Sequence, residues 1–423
     1  MRLTTKLAAA ALAALLQACA TAPVSAPAPI PAAEVRAPVT ILISIDGFMP
    51  EYLERGVTHN LSKLAAMGVT APMRPSFPSK TFPNHWTLVT GLRPDRNGIT
   101  ANKMEDPARP KEVFTMASDD PFWWNAADPI WVDAEKAGIR TGTMFWPGSN
   151  VPVGGTKASE WPYTITGGTR PTDWAQFNQM ITGPQRVRGT IDWLRRPAAI
   201  RPQFLTLYFD TVDTAGHTFG PGDQRTTDAI AEVDTMIGDL MKGLDELGQP
   251  ANLVIVSDHG MAQTSSERVV LLTDYVAKDD VRIVESGPYA SLFAAEGKQA
   301  IVEKALIGKH PHMECWRKEN IPARFHYGSN VRVPPILCLA ETGWQITDRA
   351  PKQGEVGGNH GFDHAAPEMA ALFIATGPAF RPAKLPAFDN VDVYPLLRDL
   401  LGLPAAAGKD GSDAVFRGVM VQP

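Results

Sequence analysis

Val39–Ile45 reads VTILISI, and an acid, Asp46, follows it at once in SIDGF. A near-continuous apolar run of this length predicts a strand buried on both faces, the kind that lies inside a parallel sheet. Comparable runs recur at residues 142–145, at Phe204–Phe209 (FLTLYF), at 253–256 and at 370–375. Helical spacing lies between them. Residues 60–67 follow the first strand, and residues 226–247 place Ile230, Val233, Ile237, Leu240, Met241 and Leu244 on one stripe. Residues 392–401 close the pattern with Val393, Leu396, Leu397 and Leu400. Such stripes are core packing. Strands alternating with helices predict an α/β fold, with a mostly parallel central sheet and helices on both faces. The stretch 279–347 departs from this, mixing SLFAA and VPPILCLA with charged turns. It is expected to form a small α+β lobe inserted in a domain that runs from 39 to 423.

The first 38 residues read differently. Arg2 and Lys6 precede an Ala/Leu run that ends in Leu16-Gln17-Ala18-Cys19. A basic start, a short apolar stretch and a small residue before the cut describe an export signal over 1–18, and the run is too short for a permanent span. The ending resembles a bacterial lipobox, which would make Cys19 a lipid-modified first residue, although Gln17 is uncommon there. A plain cleaved signal is the alternative. Residues 19–38, built from Ala, Pro, Val and Thr, read as an extended tether. The expectation is export to the periplasm or cell envelope, with any membrane attachment confined to the N-terminal lipid. Cys315 and Cys338 remain as one disulfide pair or as two separate buried thiols.

The chain carries a net charge of −5, and losing Arg2 and Lys6 with the signal takes it to −7. That balance speaks against a nucleic-acid polymer as main partner, which requires a basic surface. It leaves small anionic substrates open, because a bound cation dominates its local field. The loop after the first strand, IDGFMP, lacks the G-x-G-x-x-G of a dinucleotide oxidoreductase.

Acids and histidines gather at strand ends. Asp46 follows the first strand; Asp213 and His217 lie four apart in DTVDTAGH after FLTLYF; Asp258 and His259 are adjacent in SDHGM after the 253–256 run. His360, in GGNHGFD, precedes the 370–375 run. The carboxyl ends of strands in open α/β sheets form the ligand crevice. Each residue alone is as well read as a helix cap, turn former or structural histidine. Together, three Asp and three His in Gly-punctuated loops form a donor set for zinc, and six ligands exceed one catalytic zinc, so two ions are expected. Thr81, in FPSKTFPN before WTLVTGL, falls at or near a helix N-terminus. It is equally a simple N-cap or a nucleophile placed where the helix end favours a phosphate.

The segment FPSKTFPNHWTLVTGLRPDRNGITAN resembles the nucleophile region of bacterial nucleotide pyrophosphatase/phosphodiesterases of the alkaline phosphatase superfamily. The resemblance continues through MFWPGSN, FDTVDTAGHTFGP, SDHGM, IPARFHYGSN and GGNHGFDHAAPEMAALFIATGPAF, from about residue 40 to about 405. It implies an alkaline-phosphatase-like fold. It also implies one zinc on Asp46, Thr81, Asp258 and His259 and a second on Asp213, His217 and His360. Thr81 becomes the nucleophile, forming a covalent phospho-intermediate that a zinc-activated water releases. Asn102 holds a non-bridging phosphate oxygen, and Phe82 flanks the pocket for the nucleobase. A companion aromatic is expected after MFWPGSN, with Trp174 as first candidate and Trp161 and Tyr163 behind it. Two positions depart from the family's HGYDN: Phe362 lacks the tyrosine hydroxyl and His364 replaces the asparagine. His364, His85, His310, His312 and His326 are read as structural or outer residues.

The expected activity is hydrolysis of phosphodiester or pyrophosphate bonds in a small molecule, a nucleotide by this reading. The same two-zinc chemistry on phospholipid head groups or phosphomonoesters is the alternative. An inactive envelope binding protein is the alternative of another class, opposed by seven chemically competent metal-contacting positions.

Overall fold

In the computed structural model, which describes residues 34–421, VTILISI forms β1 (Val39–Ile45), every residue of which is buried. The signal region, Cys19 and most of the tether lie outside the described residues. The other strands of the central sheet are β2 (Val69–Arg74), β3 (Thr141–Met144), β4 (Asp173–Ala175), β5 (Phe204–Phe209), β6 (Ala251–Val256) and β7 (Ala371–Thr376). They lie in the order β2-β7-β6-β1-β5-β3-β4, and the short pieces Ala383–Lys384 and Phe388–Asp389 pair with β2. Side chains alternate across β1. Ile41, Ile43 and Ile45 pack on one face, while Leu42 packs on the other, so a period of two feeds two separate cores.

The helices bearing on this sheet are α1 (His59–Met67), α2 (Thr81–Thr90), α3 (Ile130–Lys136), α4 (Gly183–Leu194), α5 (Thr211–Phe219), α6 (Gln224–Glu246) and α7 (Val393–Leu400). The helical spacing read between 226 and 247 becomes α6, whose Ile230, Val233, Ile237 and Leu240 are fully buried in the core that holds Ile41 and Ile43. Each such side chain contributes ~1.5–3 kcal/mol by leaving water. The opposite core joins Trp86 of α2, Trp131 of α3 and Leu396 and Leu397 of α7 to Leu42 and Val254.

Two features depart from the sequence reading. β2, VTAPMR, carries Pro72 and exposes alternate residues, so neither its composition nor an apolar run marks it as a strand. The other concerns direction. β6, β1, β5, β3 and β4 run parallel, but β7 is antiparallel to both β6 and β2. Val256, near the end of β6, therefore faces Phe373, near the start of β7.

A second sheet of five strands, all antiparallel, spans Val281–Glu285 to Ile336–Ala340. Cys315 and Cys338 are register partners in it and are joined by a disulfide. The chain leaves the main body through Ala262–Ser265 and returns through Val356–Asn359, and these two segments pair with each other.

Candidate active site

The antiparallel direction of β7 explains why a residue before a strand shares a site with residues that follow strands. The start of β7 lies at the carboxyl ends of β1, β5 and β6, so the loop holding His360 arrives where Asp46, Asp213 and Asp258 leave. Ser257 fastens this edge: its N–H donates to Leu372 O and its hydroxyl to His259 O, while Phe48 N–H donates to Ser257 Oγ. Asp213 and His217, four apart, share one face of α5. Gly47, at φ +68°, lets the loop after β1 press against that helix; a Cβ there would meet Asp213 Cα at 3.0 Å.

Three histidines are oriented alike. Nδ1 of His217, His259 and His360 lies 2.9 Å from the backbone oxygen of Gly358, Gly260 and Ser79 respectively. A carbonyl only accepts, so each Nδ1 carries the proton and each Nε2 turns a lone pair inward. His217 Nε2 and His360 Nε2 are 3.0 Å apart. His259 Nε2 faces Asp258 Oδ2 at 2.9 Å, Asp46 Oδ1 at 3.4 Å and Thr81 Oγ1 at 3.3 Å. Among the described residues, Asp46 Oδ1, Asp213 Oδ1 and Asp258 Oδ2 are buried without a hydrogen-bond donor. Acceptors crowded on acceptors are costly unless cations sit between them. Two overlapping clusters meet that need, Asp213-His217-His360 and Asp46-Asp213-His259, each with its donor atoms within 4.8 Å of one another. The donor set therefore fits divalent ions with mixed nitrogen and oxygen preference.

The electrostatics agree. Burial, then Asp258 and Asp213, push the Asp46 carboxyl well above the usual range, against a hydrogen bond from Tyr208. Burial also raises Asp213. Asp258 is buried too, yet a protonated His259 beside it would hold its carboxyl well below the usual range; a cation supplies that positive charge when His259 turns a lone pair inward. Burial, then His259 and Lys80, lower His360, keeping its imidazole neutral. Three carboxylates this close ionise together only beside compensating positive charge.

Thr81 is the first residue of α2, and Lys80, not Thr81, occupies the N-cap position. The simple cap reading of Thr81 is thereby corrected: its hydroxyl faces His259 and caps nothing. Pro83 is tolerated because it sits in the first turn, where the lost N–H has no helical partner. The approach to Thr81 is clamped by Asn84, which accepts from Ser76 N and donates to Pro78 O and Lys80 O. His85 is fully engaged, with Nδ1 2.8 Å from Thr81 O and Nε2 2.8 Å from Ser44 Oγ. That leaves it no free lone pair for a metal, although it closes a third cluster with Asp46 and Asp258.

A cavity of about 360 Å³ opens over Thr81 and is lined by Asp46, Asp213, His217, His360, Lys80, Phe82 and Asn102. Asn102 Oδ1 accepts from Phe82 N at 2.9 Å, so its amide nitrogen is the end left to donate. The aromatic wall also holds Phe145, Trp146, Phe177 and Tyr208. Trp174 is not among the lining residues. It lies in edge strand β4 in register with Thr143, 39% exposed, with the Arg170 guanidinium 4.9 Å above its ring. Trp161 and Tyr163 are exposed and equally absent from the lining. Phe177 does line the cavity with Phe82, held edge-on by Phe145 and Tyr208 at 5.7 Å each, with Arg186 5.5 Å from its ring. Tyr208 was hidden in an apolar strand pattern, yet its hydroxyl donates to Asp46 Oδ2 at 2.7 Å. Nothing in composition separates Phe177 from Trp174, three residues away.

The sheet order, the Asp/His cluster at its carboxyl edge and a hydroxyl on a helix N-terminus define a hydrolase of alkaline-phosphatase-like fold. Within that class the chain belongs to the type I phosphodiesterase/nucleotide pyrophosphatase family, whose model matches residues 40–363. It is 37% identical over 371 residues to the bis(5'-adenosyl)-triphosphatase enpp4 of Xenopus laevis, covering 86% of this chain and 78% of that one. Human ectonucleotide pyrophosphatase/phosphodiesterase 5 superposes with a TM-score of 0.84 at 33% identity, over 91% of this chain and 100% of the other. Its murine counterpart, solved as an inactive threonine-to-alanine form in complex with AMP, gives the same values.

Proposed function

We propose that this enzyme cleaves nucleotide phosphodiester or pyrophosphate bonds through Thr81, with two zinc ions bound beside it. The observation that carries the reading is the set of three inward-facing Nε2 lone pairs and three orphaned carboxylate oxygens around Thr81 Oγ1. One ion would rest on Asp46, Thr81, Asp258 and His259, the other on Asp213, His217 and His360. Bound there, zinc supplies Lewis acidity that lowers the pKa of a hydroxyl or water and offsets phosphate charge.

The chain's own residues do the rest. Thr81 Oγ1 forms a bond to phosphorus as the bond to the leaving oxygen breaks, giving a phosphothreonine that keeps the nucleoside half. Water then attacks phosphorus in line, and Thr81 is restored as the monophosphate leaves. The amide nitrogen of Asn102 donates to a non-bridging oxygen, while its carbonyl oxygen is held by Phe82 N–H. Phe82 and Phe177 hold the base. The AMP complex of the murine relative and the dinucleotide named for the frog relative support a nucleotide substrate.

Thr81→Ala is expected to lose turnover of a nitrophenyl nucleotide diester while retaining zinc, measured by metal analysis after gel filtration. Normal activity in that variant would sink the assignment. Chelation should remove activity, with zinc restoring it better than magnesium. Lys80 gives a second reading some footing, since this buried cation lines the cavity and suits the extra charge of a monoester. Faster cleavage of nitrophenyl phosphate than of the diester would select it. Export, with a lipid on Cys19, remains our reading of the leader.

A further inference from the structure

A second cavity, of about 250 Å³, lies behind the segment that leads to Thr81 and shares no lining residue with the first. Three guanidinium groups face it, from Arg74, Arg93 and Arg324, against a single lining carboxylate, Asp389. Asp389 is divided between two of them, with Arg74 Nε at 2.9 Å from one oxygen and Arg93 Nη2 at 2.8 Å from the other. Arg324 is held in a two-point pair by Asp363, and its guanidinium lies 4.0 Å over the Phe325 ring. The floor is aromatic: Phe77 and Phe325 pack at 4.5 Å, and His364 lies 5.5 Å from Phe325. His364 Nδ1 is buried there without a hydrogen-bond partner among the described residues. His364 is also one of the two positions, with Phe362, that depart from the HGYDN pattern.

From this convergence of three arginines on one cavity we infer a binding site for a phosphate-type oxyanion, separate from the catalytic centre. Planar guanidinium groups recognise tetrahedral oxyanions through paired N–H donors, and fixed arginines lose little freedom in doing so. Asp389 and Asp363 orient Arg93 and Arg324 by hydrogen bonds, and Arg74 stands in ion-pair contact with Asp389. Three arginines against one lining carboxylate leave excess positive charge. The volume exceeds that of a bare phosphate, so a phosphate bearing a small organic group also fits.

The test is equilibrium dialysis of the zinc-loaded enzyme against radiolabelled inorganic phosphate, comparing wild type with an Arg93→Gln/Arg324→Gln double variant. The variant is expected to bind one phosphate fewer per chain, with turnover of a nitrophenyl nucleotide diester unchanged. Equal stoichiometry and affinity in the two proteins would overturn the site. Should the double variant fail to fold, Arg324→Gln alone is expected to weaken the second phosphate roughly tenfold, the loss of one charge-assisted pair. No weakening there would overturn the site as well. Displacement of the second phosphate by adenosine monophosphate would identify a nucleotide's phosphate as occupant, and its persistence free phosphate.

Discussion

His364→Asn offers a direct measurement of what burying an imidazole costs this protein. The His364 side chain is 13% exposed, and burial lowers its pKa from 6.5 to about 4. Between those values the unfolded chain takes up a proton that the folded one refuses. Stability is therefore full above pH 6.5, falls as the pH drops towards 4, and levels off below. A shift of this size corresponds to at most about 3 kcal/mol. The asparagine variant keeps a polar side chain and loses the titration. Its stability is expected to fall by that much less than wild type between pH 7 and pH 4. Urea unfolding followed by fluorescence, in phosphate-free buffer, reads the difference. Asp392, raised by burial to about 6, titrates in the same window. It is present in both proteins, so its contribution cancels. Parallel pH profiles for the two proteins, or a steeper loss in the variant, would refute the reasoning.

Two further substitutions separate roles in the first cavity. Tyr208→Phe removes the hydrogen bond to Asp46 Oδ2 and keeps the ring against Phe177. Zinc retention against a competing chelator should weaken roughly tenfold, as for other residues that orient a ligand, with KM for a nucleotide diester little changed. Phe177→Ala should raise KM for that diester roughly tenfold, the worth of one base stacked on an aromatic ring, while Trp174→Ala leaves it unchanged. Steady-state kinetics on both variants, with a diester lacking any base as control, checks the pair; equal effects at the two positions would count against Phe177 as the wall.

The strands buried on both faces were the legible ones. β1, β5 and β6 announce themselves because no residue of these runs has to face water. β2 does not, since its burial alternates and Pro72 interrupts its composition. Direction is not written in an apolar run at all, and β7 could be placed as a strand without its reversal being visible. The acids and histidines of the candidate site could be picked out by their chemistry, but not all lie in loops as expected: Asp46, Asp258, His259 and His360 do, whereas Asp213 and His217 sit on helix α5. The aromatic wall was not. Phe177 lies in the loop after β4, anchored by Arg186 bonding Ile181 O, Tyr208 O and Asp210. Trp161 and Tyr163 sit in an exposed turn before β4 and Trp174 in β4 itself, and none of this is written in composition. Cys315 and Cys338 needed the register of two antiparallel strands before their distance could be known.

The four-residue ladder between Ala262–Ser265 and Val356–Asn359 has a bearing on how this architecture diversifies. It closes the excursion locally, within a few residues of His259 on one side and His360 on the other. The excursion beyond that clasp is also stitched back to the body: Tyr327 bonds Thr100 O, Arg332 bonds Gly98 O and Trp123 O, and Tyr289 and Phe325 pack on Phe77 just before Thr81. Its length can drift at the exposed turns, while these few anchors tie any change in its sheet to the segment that carries the hydroxyl.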